Sequence, residues 1–138
     1  MRILTGEEVH ELYPELFEKV FGFPPDGQVP RTVVVQEQED GTLTGFVSGY
    51  LRDRKTFYIS WAGSMKKFTG SRELFAEFEM FLKNKGVQWF TTCVENTNTA
   101  TQRLLMKMYW YPYGMKMSQG KIYVEYYKEL SDGIVRTD

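Results

Sequence analysis

Between Gly63 and Ser71 the chain runs Ser64-Met-Lys-Lys-Phe-Thr-Gly70, two lysines and a glycine set directly before a helical pattern. A helix start carries backbone N–H groups without intrahelical partners and the positive end of the helix dipole. Glycine lets a ligand approach the backbone closely. Lys66, Lys67 and Gly70 at that start therefore describe an anion site of the kind that takes phosphate. The same residues also read as an ordinary strand-to-helix connection with solvated lysines. Other chemistry is thinly supplied. His10 is the single histidine and Cys93 the single cysteine, so Ser–His triads, histidine-rich metal sites and Cys/His zinc sites have too few members. That leaves a carboxylate, a tyrosine, a water, or no general base at all.

The elements that hold this loop are legible on both sides. Upstream, Thr56 to Gly63 reads as a strand, with Phe57, Ile59 and Trp61 on one face and Tyr58 and Ser60 on the other. Downstream, Leu74, Phe78, Phe81 and Leu82 form one apolar stripe of a helix from Ser71 to Gly86. Ser71 is placed to cap its start and Gly86 its end.

Before this unit, Thr5-Gly-Glu-Glu8 is a capping box that opens an amphipathic helix with Val9, Leu12, Tyr13, Leu16, Phe17 and Val20 on one face. Pro14 lies inside it, which predicts a kink or two short helices. Residues 23–30 hold three prolines and form a loop. A strand follows over Arg31–Glu37, then a hairpin turn at Asp40-Gly41 and a second strand to about Leu51. Arg52 to Lys55 is a charged turn, and the Phe57–Ala62 strand should pair antiparallel with the one before it.

After Gly86, Val87–Val94 is β-rich. Strand, helix, strand is the order of a right-handed crossover, so Thr56–Ala62 and Val87–Val94 should be parallel neighbours. Asn98 caps a helix over Thr99–Tyr109 with Leu104, Leu105 and Met108 on its apolar face. Trp110–Met117 and Lys121–Leu130 are two further strands around a Ser118-Gln-Gly120 turn, and residues 131–138 are a frayed tail. The predicted order is α(α)βββαβαββ, an α/β protein with a mixed sheet in one domain, 1–138.

Composition narrows the setting. The 138 residues are 42% hydrophobic, 25% charged and 16% aromatic, which suits a globular domain with aromatic-lined surface. Net charge is −1, against general nucleic-acid binding. The charge is uneven: residues 1–45 hold three basic and nine acidic side chains, and the remainder, which carries the loop, holds 14 basic and nine acidic. One cysteine precludes an internal disulfide. No apolar run reaches a membrane span and no signal-peptide segment opens the sequence. A cytoplasmic protein without membrane attachment is the expectation.

That order, with Val94-Glu-Asn-Thr-Asn98-Thr-Ala100 and Leu105-Met-Lys-Met-Tyr-Trp110, resembles the GNAT superfamily of N-acetyltransferases over roughly Leu4 to Leu130. Asn98 and Ala100 match the family's helix start, and Trp110 takes its aromatic place. Of the family's phosphate loop only the final glycine, Gly70, survives. The resemblance implies acetyl-CoA or another acyl-CoA as co-substrate, with no metal. Its pyrophosphate would lie on Lys66, Lys67, Thr69, Gly70, Ser71 and the helix start. Its pantetheine arm would pair with backbone around Ile59–Gly63, including Trp61, and Asn98 would lie nearby.

The family's thiolate-protonating tyrosine falls at Leu105, which donates no proton. Tyr109, at the family's glycine place, either substitutes as acid or packs in the core. Glu95 is the base candidate for an amine nucleophile, or a solvated turn carboxylate. Arg52, Tyr58 and Tyr113 are candidates to line the acceptor's cleft, which the resemblance places near Trp61 and Glu95, where the parallel strands splay. The implied reaction is direct attack of a small-molecule or peptide amine on the thioester. The alternative is a catalytically silent domain that binds a partner protein. The tyrosine-rich last strand suits a sheet-mediated homodimer.

Overall fold

The computed structural model describes residues 1–65 and 70–130. In chain order the elements are β1 (Arg2–Ile3), α1 (Gly6–Phe21), β2 (Thr32–Glu37), β3 (Leu43–Leu51), β4 (Thr56–Ser64), α2 (Ser71–Lys83), β5 (Trp89–Glu95), α3 (Thr99–Lys107), β6 (Tyr111–Ser118) and β7 (Lys121–Glu129). Strands hydrogen-bond in the order β1-β2-β3-β4-β5-β7-β6. The mixed α/β class and its strand–helix alternation agree with the sequence reading. Two details of the order do not: β1 was not foreseen, and the opening helix is single.

Two compact units divide the chain, the first comprising residues 1–50 and 59–82. Here α1 lies on one face of β2 and β3, where Val9, Tyr13, Leu16 and Phe17 bury against Val33, Val35 and Phe46. The capping box forms as expected: Glu8 N–H donates to Thr5 Oγ1 at 3.3 Å and Thr5 N–H to Glu8 Oε1 at 3.0 Å. Pro14 does not split the helix, which runs unbroken from Gly6 to Phe21. Pro14 and His10 are both exposed, so the carbonyl that proline leaves unbonded lies toward water, while Tyr13, Leu16 and Phe17 hold the opposite face. Gly22, at φ +83°, caps the end.

Strand β1 is held by its side chains. Arg2 Nε meets Glu37 at 2.6 Å and its Nη1 meets Glu8 at 2.9 Å, while the backbone pairs antiparallel with Val34 and Val35. The Asp40-Gly41 turn forms, with Gly41 at φ +89° and Thr42 N–H donating to Asp40 Oδ1 at 3.0 Å. On the other face of β3, α2 packs close. A Cβ at Gly45 would lie 3.2 Å from Leu74 Cδ1, and Leu74, Phe78 and Leu82 are buried as the stripe required.

The second unit comprises residues 51–58 and those from Lys83 onward. At its centre β5 pairs in parallel with β4 from Thr56↔Trp89 to Tyr58↔Thr91, the crossover geometry the sequence predicted. On its other edge β5 pairs antiparallel with β7 from Trp89↔Glu129 to Glu95↔Tyr123. Strands β6 and β7 form a hairpin whose turn places Gln119 at φ 51° and Gly120 at φ 77°, the left-handed pair that matches strand twist. Buried Phe90, Trp110, Tyr126 and Leu105 form its core. Tail residues 131–138 lie outside the described residues.

Candidate functional site

In the first unit, the end of β4 and the start of α2 frame the loop. Ile59 is buried. Trp61 continues its face, stays 43% exposed, and sets its ring edge-on to Phe17 and Phe21 at centroid distances of 5.1 and 5.3 Å. Its carbonyl accepts from Ser48 Oγ at 3.3 Å. Gly63 is there because of α1: a Cβ would stand 2.5 Å from Val20 Cγ1 and 3.0 Å from Phe21 Cζ. Lys66, Lys67 and Thr69 lie outside the described residues.

The helix start differs from the expectation by one residue. Gly70's carbonyl accepts the Leu74 N–H at 3.1 Å, and Ser71 is the first helical residue. Gly70 is therefore the cap, because its carbonyl takes the first helical bond. The N–H groups of the following turn are the ones left without helical partners. Glu73, in that first turn, leans back so that its Oε2 lies 2.5 Å from where a Cβ on Gly70 would be.

In the second unit the alternation of β5 and β7 collects several named residues. Trp89, Thr91, Cys93 and Glu95 share a sheet face with Tyr127, Glu125 and Tyr123 opposite them. Tyr58 joins this face, its Oη 2.9 Å from Cys93 Sγ. Tyr113 joins it too, donating to Glu125 Oε2 at 3.2 Å and meeting the Tyr127 ring edge-on at 5.8 Å. Tyr58, Glu95 and Tyr113 therefore share a surface of aromatic rings and carboxylates. Arg52 lies in the β3–β4 turn, where its N–H donates to Thr56 O at 2.9 Å.

Asn98 and Tyr109 mark the two ends of α3. Asn98 Oδ1 accepts from Thr101 N–H at 3.1 Å, the expected cap. At the other end Tyr109 N–H donates to Met106 O at 3.1 Å and Trp110 N–H to Leu105 O at 3.0 Å. This double closure is a Schellman motif with Tyr109 at its left-handed position, φ 67°. Glycine normally fills that position because it has no Cβ to clash. Tyr109 is 72% exposed, so core packing is not its role, whereas Leu105 is buried.

Gln102 and Tyr126 were not singled out in the sequence. Tyr126 donates its hydroxyl to Gln102 Oε1 at 2.6 Å, and Gln102 Nε2 donates to Asn96 O at 3.0 Å. Burial pushes the Tyr126 hydroxyl above the ordinary tyrosine range. The available signal was Gln102 lying four residues after Asn98, hence on the same helix face. Among the described residues no group of three or more His, Cys, Asp and Glu side chains is placed to hold a metal ion. No helix among them is long and apolar enough to cross a membrane.

The sequence matches no protein-family model and no curated protein. The fold has clear counterparts among solved structures. The ribosomal-protein-S18-alanine N-acetyltransferase of Escherichia coli aligns with a TM-score of 0.67 at 10% identity, covering 97% of this chain and 98% of that one. A GNAT-family acetyltransferase of Listeria monocytogenes aligns at 0.58 with 18% identity, covering 71% and 64%. A protein of Salmonella typhimurium assigned as an acetyltransferase and solved with acetyl-CoA aligns at 0.54 with 18% identity, covering 75% and 67%. The seven-stranded mixed sheet with its crossover helix is thus the fold of the GNAT superfamily of N-acetyltransferases.

Proposed function

We propose that this protein is an acyl-CoA-dependent N-acyltransferase, with acetyl-CoA as the donor and an amine as the acceptor. The observation that carries this reading is the glycine-capped start of α2 directly after β4, in a fold whose counterparts are acetyltransferases. The pyrophosphate would rest on the N–H groups of the first turn of α2, with Gly70 setting no side chain of its own against it and Lys66 and Lys67 neutralising its charge. The pantetheine arm would follow the backbone of Ile59–Gly63. The acceptor would be a small-molecule or peptide amine.

The chemistry is a direct displacement. The neutral amine attacks the thioester carbonyl, the C–N bond forms, the C–S bond breaks, and the amine proton leaves while the thiolate gains one. Glu95 is the carboxylate assigned to take the amine proton, directly or through water, and Tyr109 is the exposed hydroxyl assigned to the thiolate. A thiol has an ordinary pKa near 8.5, so its thiolate leaves without an obligatory acid. Buried Leu105 therefore slows the reaction without abolishing it. Arg52, Tyr58 and Tyr113 are assigned to the acceptor.

Calorimetric titration with acetyl-CoA and with free CoA tests the donor. Binding of both is expected, weakened at least tenfold by Lys66→Glu with Lys67→Glu in a chain whose melting temperature is unchanged. No heat with the parent, or equal affinity in the double variant, would remove the assignment. If CoA binds but no amine in a broad panel yields turnover, the protein-binding reading replaces the enzyme.

A further inference from the structure

Strand β6 pairs only with β7 among the described residues and forms the edge of the sheet. Such an edge presents unpaired N–H and C=O groups along its length. It also carries large exposed apolar side chains: Met115 is 64% and Met117 74% exposed. Both lie on one face with Val124 and Ile122 behind them, by the pairs Met115↔Val124 and Met117↔Ile122.

The other face holds a matched pair of charges. Gly114 stands opposite Glu125, and a Cβ on Gly114 would come 3.4 Å from Glu125 Oε1. The Glu125 carboxylate therefore lies over a residue without a side chain. The bulge between Pro112 and Gly114 brings Tyr113 to the same side, where its hydroxyl fixes Glu125 at 3.2 Å. Lys116, two residues along on that face, is exposed and has no ion-pair partner among the described residues.

We propose that this chain forms a two-fold homodimer by antiparallel pairing of β6 with β6 of a second copy, centred on Met115. A two-fold axis perpendicular to the sheet keeps each side chain on its own face, so residues of one face meet residues of the same face. Centring on Met115 sets Gly114 opposite Lys116 of the second copy. Strands lie about 4.8 Å apart, so that lysine crosses Gly114 toward Glu125, and symmetry makes the contact twice. The methionines meet on the opposite face in a continuous thioether row. Centring on Lys116 would set two lysines face to face, and centring on Gly114 would leave Lys116 against Pro112. The charges therefore select the register.

Sedimentation equilibrium on the full chain tests this independently of acyl transfer. A concentration-dependent dimer is expected, with Lys116→Glu and Glu125→Lys each weakening it at least tenfold. The two together, which restore opposite charges across the axis, should bring dimerisation back. In a Cys93→Ser background, Met115→Cys should cross-link to itself under mild oxidation, whereas Lys121→Cys should not. Circular dichroism confirms that each variant folds; should Glu125→Lys unfold, Lys116→Glu and the cross-link decide. A monomer at all concentrations, including one that gains mass only with another polypeptide, overturns the proposal. So does a dimer unmoved by Lys116→Glu, or one without the position-115 cross-link.

Discussion

Tyr126 on β7 donates its hydroxyl to Gln102 Oε1 on α3 at 2.6 Å, and the same amide donates from Nε2 to Asn96 O at 3.0 Å. One side chain thus ties the helix to the strand beneath it and to the turn between Glu95 and Asn98. Tyr126→Phe deletes the buried donor and should cost about 1 kcal/mol in urea denaturation. Gln102→Ala should cost a similar amount. On the acyl-transfer reading it should also lower kcat while leaving affinity for CoA unchanged, because it frees the turn that carries Glu95. Unchanged stability in both variants would show that the contact contributes nothing net.

Tyr109 separates stability from chemistry. Its left-handed backbone, φ 67°, costs a non-glycine residue about 1–2 kcal/mol, and at 72% exposure it loses little packing when removed. Tyr109→Gly should therefore raise stability by about 1 kcal/mol in thermal denaturation, while Tyr109→Phe leaves it unchanged. If the hydroxyl protonates the thiolate, both variants lower kcat, by up to the roughly 10²–10⁴-fold of a lost general acid. Full turnover in the phenylalanine variant would remove that role.

Glu73 sets up a competition at the proposed pyrophosphate site. Its carboxylate lies over Gly70, the residue a phosphate would have to approach. Glu73→Gln keeps the size and removes the like charge, so it should tighten CoA binding several-fold by calorimetry, with the largest gain at low salt. Weaker binding in this variant would place the anion elsewhere.

Acid stability should carry the signature of the capping box. The Thr5 backbone N–H, and after it the Arg2 guanidinium, hold the Glu8 carboxyl below the ordinary glutamate range. A lowered folded-state pKa favours the folded chain above the unfolded value, near 4.3, and that contribution is lost as pH falls through the folded value. Melting temperature followed from pH 7 to pH 3 should drop in the parent below about pH 4.5. Glu8→Gln should start lower and show a flatter acid limb, and parallel profiles would discount the pair.

Local sequence determined several features whose partners lie within a few residues. Thr5 and Glu8 cap a helix because one turn separates them. Asp40-Gly41 turns because Gly41 tolerates φ +89°. Leu74, Phe78 and Leu82 bury because helical spacing aligns them, and strand, helix, strand makes β4 and β5 parallel. The motif 94–110 carried the fold's identity, since a capped helix after a strand leaves a readable pattern.

Tertiary structure decided what depends on distant partners. Two residues, Arg2 and Ile3, have no period to read, and they become a strand only because Val34 and Val35 lie alongside and Glu37 holds the guanidinium. Pro14 stays within one continuous helix because burial of Tyr13, Leu16 and Phe17 outweighs one missing bond on the wet side. Spacing placed Trp61 on the face of Ile59, but only the fold sets it edge-on against Phe17, 44 residues earlier in the chain. Gln102 finds Tyr126 across 24 residues. Glu73 shows the limit most plainly: it lies three positions from Gly70, yet that its carboxylate leans back over that glycine is a direction spacing alone leaves open.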